Sequence, residues 1–184
     1  MKLPNIKILD ESNKILHEKS EDVVFPLDSK TKKLIDDSLT YLEMSQIEEY
    51  SEKYDLRPGM GLSFVQIGIK KRIFVISEEL DDGKFRRYVV INPKIISKSE
   101  ELIYVGEGEG CLSVKESHEG YVVRNARVTV EAYDLITNQN IVIRARGYLA
   151  IVLQHEIDHF SGKLFYDYID SKNPFPEVDN AIEI

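Results

Sequence analysis

The segment from Tyr148 to Phe160, YLAIVLQHEIDHF, limits the possible folds more than any other part of the chain. It predicts a helix that is apolar on nearly every side, a pattern typical of a helix buried in a protein core. Gly147 opens this helix and Gly162 is suited to end it. A helix of this kind needs other layers around it, so we expect a core built from β-strands packed against it.

The same helix carries a chemically active pattern, HEIDH. His155 and His159 are four residues apart, and residues at this spacing share one face of a helix. Glu156 lies beside the first histidine, close enough to handle a proton on metal-bound water. This HExxH pattern is typical of metal-assisted hydrolysis. Two ligands are too few for a catalytic site, so a third must come from elsewhere in the chain.

The third ligand has two possible sources. Cys111, the one cysteine of the chain, follows the glycine-rich run Gly106 to Gly110, and a thiolate is a good donor to zinc or ferrous iron. The other source is an acidic residue downstream of the histidines: Asp167, Asp170, Glu177, Asp179 or Glu183. An acidic ligand would indicate a zinc peptidase. A structural metal site is a further alternative, although such sites usually have four protein ligands.

Length and charge narrow the class of protein. With 184 residues, 42% hydrophobic and 30% charged, we expect a single soluble domain spanning 1–184. The apolar runs are too short to cross a bilayer and the N-terminus lacks a signal-peptide core, which favours a cytoplasmic monomer with no membrane contact. The net charge of −8 argues against direct nucleic-acid binding.

The hydrophobic patterns predict an α+β fold, with antiparallel or mixed β-sheets packed around the central helix that carries HEIDH. A second long helix is predicted over Thr31–Tyr54, after an extended arm over residues 1–27. Strands are predicted by short alternating or apolar runs, at Arg72–Ser77, Arg87–Ile91, Leu102–Val105, Tyr121–Tyr133, Ile141–Arg146 and Leu164–Ile169. The acidic tail that follows is predicted to be non-helical.

The run GMGLSFVQ, from Gly59 to Gln66, is a second place where chemistry is expected. Its two glycines, one residue apart, let a ligand or another backbone approach closely. Gln66 is polar within an apolar run, so it is either a structural hydrogen-bonding group or a residue directed at a ligand oxygen. If the run is extended, Phe64 and Gln66 point to the same side.

Three motifs together, GMGLSFVQ, EGCLS and QHEIDH in this order, resemble the signature motifs of peptide deformylase. The resemblance covers most of the chain, up to Ile169. It implies an enzyme that removes the N-terminal formyl group from formyl-methionine of nascent polypeptides, at the ribosome, and releases formate. The long segment before the first motif and the non-helical tail resemble the second type of the family, found in Gram-positive bacteria and their relatives.

The resemblance also implies a role for each motif residue. The metal ligands would be Cys111, His155 and His159, and Glu156 would be the general acid and base. Gln66 and the backbone N–H of Leu112 would donate to the formyl oxygen. Gly61 would border the substrate. The metal would be one divalent ion, Fe(II) in the native enzyme, with zinc, nickel or cobalt as substitutes.

Substrate contacts are predicted around these motifs. An extended peptide is expected to pair with the backbone near Gly110, and Val152, one turn before Glu156, to line a pocket for the methionine side chain. Glu109 and Arg124 are expected to form a salt bridge that shapes the loop only if it is buried.

One departure from the family pattern lies in the first motif. The family usually has two small residues after GxGL, where this chain has Ser63 and Phe64. Phe64 would either narrow the substrate pocket or fill a gap in the core, and we expect core filling.

Overall fold

The computed structural model describes residues 2–184, which include three α-helices. They are α1 (Ser29–Gln46), α2 (Glu48–Tyr54) and α3 (Tyr148–Asp158). The Asp28 carboxylate caps α1 by accepting a hydrogen bond from the Thr31 N–H at 2.8 Å. The prediction of one helix over Thr31–Tyr54 is therefore wrong in its continuity.

The break between α1 and α2 occurs at Ile47, whose backbone is extended (φ −88°, ψ 116°). The side chain of Gln46, the last residue of α1, donates to the carbonyl oxygens of Gly59 at 3.0 Å and Ser77 at 2.8 Å. The end of α1 is thus tied to the sheet beneath it, and the chain turns there before α2 begins. This tertiary tether could not be detected from helical periodicity.

The strands form two sheets, with bounds β1 Gly61–Ser63, β2 Ile73–Glu79, β3 Phe85–Lys98, β4 Leu102–Tyr104, β5 Arg124–Asn125, β6 Arg127–Asp134, β7 Gln139–Arg146 and β8 Ala181–Glu183. The larger sheet has the order β1-β2-β3-β6-β7 and is antiparallel throughout. The smaller sheet has the order β5-β4-β8, with β4 and β8 parallel. The expected α+β class with antiparallel and mixed sheets is confirmed.

The larger sheet is covered by a helix on each face, because alternate residues of a strand point to opposite sides. One face packs against α3 through a cluster that includes Phe74, Ile76, Val90, Val130, Ile143, Ala150 and Leu153. The other face packs against α1 through Ile35, Leu39, Leu42, Ile73, Val75, Val89 and Ile91. The apolar helix at α3 is therefore buried against this sheet.

Three predicted extended segments differ from the structure. The single strand predicted over Tyr121–Tyr133 is instead two strands, β5 and β6, which belong to different sheets. The strand predicted over Leu164–Ile169 is wrong, since Phe165–Tyr168 form a 3-10 helix. The Asp167 carboxylate caps this helix by accepting a hydrogen bond from the Leu164 N–H at 2.9 Å. The segment after Gly61 is extended only to Ser63 and continues as a 3-10 helix over Phe64–Ile67. Phe64 and Gln66 are consequently not neighbours on one side of a strand.

The side chain of Phe64 is fully buried in the cluster between α1 and the sheet. This agrees with core filling and not with a role in the cavity described below. The N-terminal arm contains a short 3-10 helix, Lys14–His17, and the acidic tail adds the strand β8 without forming a helix. Within residues 2–184, no helix is both long enough and apolar enough to traverse a bilayer.

Candidate functional site

Cys111, His155 and His159 converge on one point, with their ligand atoms within 4.8 Å of one another. The Cys111 sulfur lies 3.6 Å from His159 Nε2. His155 comes from α3, His159 from the single 3-10 turn that continues it, and Cys111 from the loop between β4 and β5. Within residues 2–184, none of the downstream acidic residues joins this group.

The electrostatics of the two histidines differ sharply. Burial lowers the pKa of His155, but hydrogen bonds to Cys111 and Glu109 outweigh it and raise that pKa well above 6.5. Burial, together with the positive charges of His155 and Arg124, lowers the pKa of His159 well below 6.5. The surroundings of His159 therefore favour the neutral imidazole, while those of His155 favour a positive charge.

This environment fits a divalent cation. A thiolate and two imidazoles are donors typical of zinc and ferrous iron. His155 Nδ1 is held by Glu109 Oε2 at 2.9 Å, which leaves Nε2 as the nitrogen free for coordination. The negative charge that favours a proton on His155 favours a cation at the same place.

A buried ion-pair network supports His155 from behind. The Arg124 guanidinium donates to both oxygens of Glu109 and, at 2.8 Å, to Asp158 Oδ2. The side chains of Arg124 and Glu109 are only 5% and 4% exposed, so the predicted salt bridge exists in the buried form needed to shape the loop. Burial raises the pKa of Glu109, but the bonds from Arg124 and His155 outweigh it and lower that pKa.

Glu156 lies beside the metal-ligand group with its carboxylate against β1. Its Oε2 is 2.8 Å from the Ser63 hydroxyl, and its Oε1 lies so close to Gly61 that a β-carbon there would be 2.4 Å away. Only glycine at position 61 leaves room for this carboxylate. Burial raises the pKa of Glu156 above its usual value of 4.5.

Gln66 contacts the metal-ligand group through its side-chain amide. Its Nε2 donates to the Cys111 sulfur at 3.3 Å and to the Ser113 hydroxyl at 3.1 Å. Its Oε1 accepts from the Ser63 N–H at 2.8 Å, which fixes which end of the amide faces Cys111. Of the two readings of Gln66 from sequence, the structure places its donor group at the site, where it also serves as a structural hydrogen-bonding group.

A cavity of about 510 Å³ opens over these groups. The four remaining predicted site residues all line it: Gly61, Gly110, Leu112 and Val152. Gln66, Cys111, His155 and Glu156 form part of the same wall. The residues singled out from the sequence are therefore brought to one place, with the fully buried His159 just behind the wall.

Sequence reasoning missed the residues that hold the cysteine loop. The Arg57 guanidinium donates to the carbonyl oxygens of Val114 at 2.7 Å and Cys111 at 3.0 Å. Arg57-Pro58-Gly59 reads as a simple break in the chain, and no local pattern indicates a partner 54 residues away. His17 is exposed and His118 stacks on Tyr166 at 4.3 Å, so neither joins the site.

Comparison with known proteins gives one consistent result. Residues 6–175 match the family model for polypeptide deformylase. Peptide deformylase 2 of Bacillus subtilis is 46% identical over 177 residues, covering 96% of each chain. A crystal structure of a probable peptide deformylase from a Synechococcus phage superposes with a TM-score of 0.73 at 32% identity, over 90% of this chain and all of that one.

A peptide deformylase from Ehrlichia chaffeensis, crystallised in complex with actinonin, superposes with a TM-score of 0.71 at 34% identity. It covers 92% of this chain and 91% of its own. These matches span the three motifs and the cavity around them, and their level of identity is well above that of a shared fold alone. The chain belongs to the polypeptide deformylase family.

Proposed function

We propose that this chain is a metal-dependent hydrolase that removes the formyl group from the N-terminal formyl-methionine of nascent polypeptides and releases formate. The observation that carries the proposal is the joint placement of a thiolate, two imidazoles and a buried carboxylate in the wall of one cavity. A cavity of about 510 Å³ lies in the size range that holds a small ligand, which suits the end of a peptide.

Cys111, His155 and His159 would hold the metal, on α3 at the centre of the fold and on the loop before β5. When bound, a divalent ion would polarise the formyl carbonyl and make a water molecule more acidic. Three protein ligands leave an open coordination position, which distinguishes this set from a closed structural site. We propose Fe(II) as the native metal, with zinc, nickel or cobalt as substitutes that the same donors accept.

Glu156 would move the proton. Its Oε1 takes a proton from the water that attacks the formyl carbon, and the carboxyl group then gives that proton to the leaving nitrogen as the C–N bond breaks. Formate and a free amino terminus result. The raised pKa of Glu156, caused by its burial, suits a group that must both accept and return a proton near neutral pH.

Gln66 and Leu112 would stabilise the negative charge that develops on the formyl oxygen. The Gln66 Nε2 lies 3.3 Å from the Cys111 sulfur, so its hydrogens already point toward the reacting centre. One of them would turn from its present acceptor to the oxyanion, joined by the backbone N–H of Leu112. A donor of this kind typically contributes ~3 kcal/mol to lowering the barrier.

The substrate would bind extended along Gly108–Gly110, with Gly61 on the opposite side and Val152 in the pocket for the methionine side chain. Glu109 directs its carboxylate to Arg124 and His155, and the glycines and Val152 carry no polar side-chain group, so this part of the wall offers backbone and apolar surface. This arrangement matches a ligand that is recognised mainly by its backbone and one apolar side chain.

The setting of the reaction follows from the same proposal. We propose a single catalytic domain, 1–184, that works as a monomer in the cytoplasm on nascent chains at the ribosome. The net charge of −8 argues against direct contact with nucleic acid.

The deciding experiment is anaerobic purification, measurement of bound metal, and an assay of formate release from a formyl-Met peptide. We expect about one divalent ion per chain and formate release that Glu156→Ala abolishes. Cys111→Ser is expected to lose the metal, whereas His17→Ala, the matched surface control, keeps it. A metal-loaded wild-type protein that releases no formate would contradict the proposed function. Metal retention by Cys111→Ser would point to a different ligand set.

A further inference from the structure

The Ser63 hydroxyl lies between two oxygens of one residue. Its Oγ is 2.8 Å from Glu156 Oε2 and 2.9 Å from the main-chain oxygen of Glu156, and Ser63 is fully buried. Among the residues that the structure describes, Glu156 Oε2 has no other hydrogen-bond partner. The one side chain that fixes the orientation of the carboxylate is therefore Ser63.

The two carboxylate oxygens of Glu156 have different surroundings in β1. In β1, Gly61 and Ser63 are two residues apart and face the same side. Ser63 bonds Oε2, while Gly61 only leaves space for Oε1, since a β-carbon there would overlap it. As a result Oε2 is occupied and Oε1 is the oxygen left for the reacting atoms.

Ser63 is itself held in place by a catalytic candidate. Its backbone N–H donates to Gln66 Oε1 at 2.8 Å, and the other end of that amide donates to the Cys111 sulfur. The strand end at Ser63 thus fixes the relative positions of Glu156 and Gln66. The bond to the Gln66 side chain uses the Ser63 backbone, so replacing the Ser63 hydroxyl leaves that bond in place.

The hydroxyl can serve the carboxyl group throughout the proposed reaction. A hydroxyl carries one proton and can also accept, so Ser63 donates to Oε2 while Glu156 is ionised. When Oε1 holds the proton taken from water, Oε2 is the carbonyl oxygen of the carboxyl group and still accepts from Oγ. The bond from Ser63 therefore persists in both protonation states with the same heavy-atom positions.

We infer that Ser63 is a positioning residue that holds Glu156 Oε2 and thereby presents Oε1 to the bound formyl group. The inference rests on the proposed function and adds to it a role for a residue outside the ligand set. Removing a hydrogen bond to a charged group of this kind is expected to lower the reaction rate about 10- to 100-fold. The loss is expected in kcat and not in KM, because Ser63 does not line the cavity.

The test compares Ser63→Ala with Ser38→Ala in the metal-loaded enzyme. Ser38 is equally buried, but its hydroxyl bonds only the Leu34 carbonyl of its own helix, so its loss controls for removing a buried hydroxyl. We expect Ser63→Ala to keep its metal and KM and to lose about 10- to 100-fold in kcat. Ser38→Ala is expected to keep wild-type kcat.

A second pair covers the case in which Ser63→Ala does not fold. Ser63→Thr and Ser63→Val have the same shape and differ only in the hydroxyl, so Thr should be the faster enzyme by a similar factor. Equal kcat for Thr and Val, or wild-type kcat in Ser63→Ala, would overturn the inference. A loss of metal in proportion to the loss of kcat would also overturn it. A wild-type protein that releases no formate would instead count against the proposed function.

Discussion

Replacing Arg124 with methionine should destabilise the protein far more than an ordinary surface ion pair would. Met has a similar length but no charge, so the change leaves the carboxylates of Glu109 and Asp158 without their cation. The Arg124 side chain is 5% exposed and bonds both of these groups. Removing one partner of a buried ion pair typically costs about 3–5 kcal/mol.

The chain offers a matched control in Arg127, three residues further on. Its ion pair with Glu101 is 61% and 50% exposed, and exposed pairs contribute at most about 1 kcal/mol. The two variants remove the same chemical group from opposite environments. For a chain of this size, about 3–5 kcal/mol corresponds to a fall of roughly 6–20 °C in Tm, whereas Arg127→Met should change Tm by a few degrees at most.

Denaturant unfolding of the metal-free proteins measures the effect without interference from metal binding. A second readout is metal affinity, because Glu109 orients His155 and the loss of such a supporting contact typically weakens binding about 10- to 100-fold. The double variant Arg124→Met with Glu109→Gln should lose less than the sum of the single changes, since it removes one of the two carboxylates that Arg124→Met leaves unpaired. The reasoning is refuted if Arg124→Met and Arg127→Met lose equal stability.

Three further changes test other parts of the site. Gly61→Ala should abolish most formate release, because the new β-carbon would displace the Glu156 carboxylate, while the metal content stays near one ion per chain. A normal kcat would show that Glu156 does not need the space at Gly61. Arg57→Met should accelerate the loss of metal to a chelator, because it removes the hydrogen bonds to the carbonyl groups of the cysteine loop. Arg86→Met, a control at an exposed residue, should leave that rate unchanged, and equal rates for the two variants would contradict the role of Arg57. Phe64→Ala should cost about 3–5 kcal/mol of unfolding free energy with KM unchanged, and a large change in KM would show that Phe64 shapes the pocket instead.

Much of the site could be predicted because its key spacing is local. His155 and His159 share a helix face by geometry alone, and the apolar surroundings of that helix indicated that both would be buried. The sequence also predicts the pairing of Glu109 with Arg124, but it indicates neither the burial of this pair nor its further bond to His155. Once the motifs are set beside one another, the donor set follows from residue chemistry.

The missed features depend on contacts between distant segments. Ser63 was grouped with small residues, because nothing within GMGLSFVQ shows that its hydroxyl meets a helix 93 residues later. The 3-10 turn after it arises from the bond between the Gln66 side chain and the Ser63 N–H, which competes with strand formation at short range. Arg57 was overlooked for the same reason, as its acceptors lie on a different loop.

The ligand group joins a helix to a loop that is 48 residues away in sequence, between Cys111 and His159. A bound ion therefore acts as a cross-link that closes this length of chain. Because the ion needs the ligand set assembled in the folded chain, its binding free energy adds to the free energy of unfolding. Loading the metal would thus slow unfolding and protect the segment between Cys111 and His159, which contains β5, β6 and β7, from proteolysis, and chelation should remove that protection.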